Sequence, residues 1–264
     1  MFWFLVGAGK IFQDVYQEQE MKQYTYLLVN FLTVIVCLVF SFDKRIRFNR
    51  HFAAFLKSAV LVSVPFIGWD IWFTHSDVWW FNDTYTIGKN VAGLPVEEWL
   101  FFICVPFSCV FTFYCLDKFL DLSWADRFSP YLVWLITITC IALAFLFYDR
   151  MYPVVTALAT VITLVLLRLM SGVNLIGRAT LVYLLLLPGF LAVNGVLTGT
   201  GLESPVVNYH PDEIINLRIG TIPVEGFLYG FTLFVLNLYL FSRFSAQKKI
   251  QGEAKAAFKN SLQG

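Results

Sequence analysis

Seven long apolar stretches run through the chain with almost no charge inside them: Tyr24 to Phe42, Ala53 to Trp69, Trp99 to Leu116, Tyr131 to Tyr148, Met151 to Leu167, Ala179 to Thr198 and Gly226 to Ser242. Each is close to the length that a helix needs to cross a hydrocarbon core about 30 Å thick. Lys57 falls near an end of the second run, where a long side chain can reach the interface. Of the 264 residues 58% are hydrophobic and only 14% charged, against about a quarter charged in soluble domains. The pattern predicts an all-α integral membrane protein with seven transmembrane helices and argues against a soluble enzyme.

The formal charge of +1 supplies no bulk field for a polyanion, so nucleic acid is not an expected partner. Where the basic residues fall matters more than their sum. Fourteen of the 19 lie in 42–57, 117–130, 168–178 and beyond 242, whereas Lys10, Lys22, Lys89, Arg150 and Arg218 lie on the opposite side. The positive-inside rule then places the N-terminus outside the cytoplasm and the C-terminus inside it, in a multi-pass chain. Met1 to Ala8 has no basic region before it and no cleavage site, so it does not read as a signal peptide.

The five cysteines sit inside apolar runs without a C-x-x-C pair and read as small core hydrophobes. His51, His75 and His210 lack metal-ligand spacing, so no metal is expected. Gly7-Ala8-Gly9-Lys10 lacks the spacing of a phosphate loop and no dinucleotide fingerprint follows a strand, so no nucleotide cofactor is expected. Asp117, Asp121 and Asp126 form one loose cluster that reads as a solvated loop, and the seventh run carries no lysine for a retinal Schiff base.

An internal duplication is the next feature. Leu94-Pro95-Val96-Glu97 matches Ile222-Pro223-Val224-Glu225, each opening an apolar run after a long outer loop (Ile71 to Pro95, Gly199 to Pro223). Pro65 with Asp70 matches Pro188 with Asn194 once a gap is allowed, since Asn194 lies somewhat farther ahead of Pro223 than Asp70 lies ahead of Pro95. Spans one to three and five to seven thus read as two parallel three-helix repeats joined by span four, related by an axis near the membrane normal. The expected divisions are a non-cytoplasmic segment over 1–23, a first repeat over 24–118, a linker with span four over 119–150, a second repeat over 151–244 and a basic cytoplasmic tail over 245–264.

Pro-Val-Glu also makes an ordinary helix start, because Pro suits the first turn and an early Glu complements the dipole. Two copies at one depth, in a chain poor in intramembrane acids, favour a functional reading, since ionisable groups there are costly and face a bundle interior or cavity. Glu98 adds a second acid where the other repeat has Gly226. Carboxyls meeting in a dry site can share a proton, one neutral and one an anion. Trp69, Phe101, Phe102, Phe227 and Tyr229 lie near enough in sequence to offer ring faces to a cation.

These residues resemble the small integral-membrane carotenoid cyclases, the lycopene cyclase domain in its fused two-repeat form. The resemblance runs through Phe42-Asp43-Lys44-Arg45, Trp69-Asp70, Trp80-Phe81-Asn82, Pro95-Val96-Glu97-Glu98, Asn194-Gly195-Val196-Leu197-Thr198 and Pro223-Val224-Glu225, from about Tyr24 to Phe244. Gly226 departs from a double-acid second motif. The resemblance implies a carotenoid (lycopene) β-cyclase, an intramolecular lyase or isomerase that needs no cofactor. Such an enzyme protonates the terminal double bond of a linear polyene, closes a six-membered ring and loses a ring proton. On this reading Glu97 and Glu225 are the acid and base, Glu98 a tuner or alternative acid, Asp70 and Asn194 orienting residues, and Trp80, Phe81 and Asn82 join the five rings above as substrate contacts. Partners are then a lycopene-like polyene and membrane lipid, with room for association with other carotenoid enzymes. A cyclase of longer prenylated carotenoids or of another ring isomer fits the same residues, and a non-catalytic seven-helix transporter or lipid-binding protein fits the repeat.

Overall fold

Apolar runs bounded by Pro, Gly and charge fold as helices in the protein, seen here in a computed structural model that describes residues 21–170 and 174–261. Residues 1–20 of the expected N-terminal segment, Gly7-Ala8-Gly9-Lys10 among them, lie outside the described residues. The described α-helices are α1 (Thr25–Phe40), α2 (Phe52–His75), α3 (Val96–Phe119), α4 (Ser129–Leu146), α5 (Met151–Leu169), α6 (Leu175–Leu197) and α7 (Glu225–Ser261). Six of the seven contain a stretch long and apolar enough to cross a membrane. The 16-residue α1 is shorter than the roughly 20 residues of a straight crossing. Helix α4 turns large apolar side chains outward, with Tyr131, Trp134 and Phe145 each more than two-thirds exposed, a surface that suits lipid rather than water.

The boundaries differ from the sequence reading where side chains find partners. Helix α2 runs well past the expected end at Trp69, to His75, carrying Asp70 inside the helix, buried and held by Tyr229. The basic segment from residue 245 onward continues α7 as helix to Ser261. Nor are the long loops featureless, for six short strands occupy them: β1 (Trp79–Phe81), β2 (Asn90–Val91), β3 (Leu94–Pro95), β4 (Val207–Tyr209), β5 (Arg218–Ile219) and β6 (Ile222–Pro223).

Those strands show the duplication bond by bond. The hairpins β2–β3 and β5–β6 have the same register, Asn90↔Pro95 in one and Arg218↔Pro223 in the other. Their tight turns differ in chemistry. Ala92 and Gly93 both have positive φ, whereas in the second turn Gly220 alone carries it, and each arrangement is one that tight hairpins use. Gly88 and Asn216, also equivalent, share a left-handed conformation, which Asn tolerates better than most residues.

Strands β1 and β4 are equivalent segments that pair with each other, Trp79 opposite Tyr209, Trp80 opposite Asn208 and Phe81 opposite Val207. Beyond them the Asn82 N–H donates to Val206 O (2.8 Å) and the His210 N–H to Val78 O (2.9 Å), equivalent bonds exchanged between the halves. The connection from α6 to β4 is longer than that from α2 to β1, as the equivalent bonds Val206 N to Leu197 O and Val78 N to Phe73 O show by closing loops of different size. That accounts for the gap between the two sequence repeats.

At the opposite end, the Ser129 hydroxyl donates to Asn174 O (3.0 Å) and accepts the Gly177 N–H (2.8 Å), tying the start of α6 to that of α4. A Cβ on Gly177 would collide with the Ala125 carbonyl, and backbone cannot swing aside. Gly177→Ala is expected to cost about 1–3 kcal/mol, read as a lower melting midpoint of the detergent-solubilised protein.

Candidate active site

A cavity of about 270 Å³ opens between the two halves, walled by α1, α2, α3, α5, α6 and α7 and capped by β1 and β4. Its lining along α3 runs from Glu98 to Cys109, about 16 Å of helix. Most of the wall is aromatic or aliphatic, so the carboxyls within it stand out.

Asp70 from α2 and Glu98 from α3 both line the cavity, buried, within hydrogen-bonding reach of each other. Each has its own phenol. The Tyr26 hydroxyl donates to Glu98 Oε2, and the Tyr229 hydroxyl donates to Asp70 Oδ1 at 3.0 Å. Burial pushes Tyr209 above the ordinary phenol range, with the Glu98 carboxyl adding to it, so this cap residue stays a neutral hydroxyl. Rings frame the pair: Tyr229 lies 4.9 Å from Trp69 and 5.2 Å from Phe66 between centroids, both edge-on, and Trp79 lies 5.2 Å from Tyr152. A buried acid pair beside aromatic faces can deliver a proton, withdraw one, and stabilise the cation formed in between.

Glu97 and Glu225, expected as acid and base, are not among the residues lining this cavity. Each instead binds the backbone of the loop that precedes it. The Ile87 N–H donates to Glu97 Oε1 (2.7 Å) and the Ile215 N–H to Glu225 Oε1. The equivalent bonds Val96 N to Lys89 O and Val224 N to Leu217 O finish the same fold of the loop. Asn30 also donates to the Glu97 carbonyl (2.8 Å). Glu225 borders a separate cavity of about 420 Å³ with Thr156 and Phe227. Glu97→Ala is expected to cost about 1–3 kcal/mol, the penalty for leaving the Ile87 N–H without its partner, while folded protein keeps its chemistry; thermal unfolding and product assays on the same preparation check both.

Other sequence candidates divide similarly. Phe81, Phe101, Tyr229 and Asn194 line the cavity, and Asn194 donates to Phe190 O (3.1 Å). Trp69 packs behind Tyr229, and Phe102 is fully buried against Phe66 and Phe101. Trp80 is exposed, and Asn82 binds Ser204 and Pro205 while capping Thr84. In the aspartate cluster, Arg178 joins Asp117 (2.8 Å) to Asp126 (2.9 Å), and Asp121 binds Ser123. The sequence reading missed Tyr26, Tyr152, Tyr183 and Tyr209, all in the wall. One signal for the first two was available: each stands second in the first helix of its repeat.

No curated protein and no solved structure matches the chain significantly. A family model described as lycopene cyclase matches residues 23–116 and 149–244, taking in both hairpins, Asp70 and Glu98, and their counterparts Asn194 and Gly226. Matched over most of its length in two repeated regions, the chain belongs to the lycopene cyclase family.

Proposed function

We propose that this protein is a carotenoid β-cyclase in which Asp70 and Glu98, rather than Glu97 and Glu225, carry the proton chemistry. The observation that carries the reading is the buried Asp70–Glu98 pair, each acid held by a tyrosine hydroxyl, on the wall of an otherwise apolar cavity. Two carboxyls in such contact hold one proton between them. One carboxyl adds that proton to the terminal double bond of the polyene. The tertiary cation is captured by the π electrons of the neighbouring alkene, which forms the ring bond and moves the charge onto the ring. The partner carboxylate then removes a ring proton, leaving a ring double bond, so the product is an isomer and no electrons are exchanged. Tyr229, Trp79 and Phe101 offer faces to the cation, and the β1–β4 cap limits water that would quench it.

The cavity's lining follows about 16 Å of α3, roughly half the length of a polyene that matches the hydrocarbon core of about 30 Å, so one end enters at a time. The basic residues support a chain with its N-terminus outside and C-terminus inside the cytoplasm, its halves parallel about the membrane normal. Removing the donor to Asp70 by Tyr229→Phe is expected to slow ring formation about tenfold, the effect of losing one hydrogen bond; initial rates in detergent micelles check it. The test of the function is pigment chromatography after expression in a lycopene-accumulating bacterium. Ring products are expected, and unchanged lycopene with the protein in the membrane overturns the reading.

A further inference from the structure

The two halves bring equivalent residues to one cavity, and they have diverged there. Tyr26, Asp70, Glu98 and Phe102 of the first half correspond to Tyr152, Asn194, Gly226 and Gly230 of the second. All but Phe102 line the cavity. The tyrosine is retained on both sides, while both carboxyls and the phenyl ring are gone from one. Gly226 sits where its missing side chain would approach a hydroxyl as Glu98 approaches that of Tyr26: an added Cβ would lie 3.8 Å from Tyr152 Oη. At Gly230 a Cβ would come within 2.9 Å of Phe190 and Tyr183, so those rings occupy the space a side chain would need. Gly189 on α6 also lines the cavity, with nothing within 4 Å of its Cβ position.

We infer that the chain has one reaction centre, and that the vacated acid position at Gly226, with Gly189 of α6, is the seat of the unreacted polyene and sets which chains fit. This rests on the cyclase reading and deepens it. The first half supplies the acid pair and the second supplies room: a hydrogen atom in place of the glutamate side chain leaves volume that a conjugated chain with no hydrogen-bonding groups can fill. Bulk at Gly226 or Gly189 then excludes substrate without touching Asp70 or Glu98.

The experiment measures lycopene retained per mole of purified protein, in a Glu98→Gln background so that turnover cannot remove it, beside the ring-forming activity of the parent chain. Adding Gly226→Leu is expected to lower retained lycopene about tenfold or more, and Gly226→Ala, whose methyl meets only ordinary contacts, less than about threefold. Gly189→Leu, placed in open space, is expected to match Gly226→Leu and serves where that variant does not fold. Retention unchanged by a folded leucine variant, in a chain whose parent forms rings, overturns the inference and leaves the cyclase reading standing. A parent that forms no rings from lycopene removes both.

Discussion

Glu98→Gln is expected to remain folded in the membrane and to lose ring formation by at least about 100-fold, the lower range for removing a general acid or base. The amide is close to the carboxyl in shape, and its oxygen can still accept the Tyr26 hydroxyl. What it cannot do is hold the proton shared with Asp70 or give one to an alkene. Lycopene binding should survive, because the apolar wall from Phe101 to Cys109 is unchanged. The check is the ratio of ring products to linear polyene, normalised to membrane-inserted protein. Parental activity in this variant would sink the assignment.

Asp70→Asn is expected to produce a loss of similar size. Asp70 lies in α2 and Glu98 in α3, so the substitution alters a different helix but the same pair. Tyr229 can still donate to the amide oxygen, which preserves the packing of α7 against α2. Groups acting as a unit are strongly non-additive, so the double variant should be about as slow as either single one. Initial rates for the three variants decide this, and losses that multiply in the double variant would mean that the two acids act independently.

Much of the fold was legible because apolar run length and the proline-bounded repeat are one-dimensional signals. The repeat also drew attention to Glu97 and Glu225, which are not among the residues lining the cavity. Glu97 and Glu225 recur where each half binds the same loop, at Ile87 and Ile215. The proposed chemistry lies where the halves differ, at Glu98 against Gly226 and Asp70 against Asn194. Neighbouring helical residues point about 100° apart, and nothing in Glu97-Glu98 reveals which of the two faces a cavity. Asp70 read as the end of a span because a charge usually ends one; its partner Tyr229 comes from the last helix of the other half, a contact only the tertiary fold creates. The cap was hidden for the same reason, since β1 and β4 are very short and pair across the duplication rather than within a hairpin.

The most direct test sets two adjacent residues against each other: pigment profiles of Glu97→Gln and Glu98→Gln in the same lycopene-accumulating host, each normalised to membrane-inserted protein. The proposed mechanism predicts that the Glu98 variant leaves the linear polyene intact while the Glu97 variant forms rings in proportion to the protein that folds. Rings from the Glu98 variant and none from a folded Glu97 variant would contradict it.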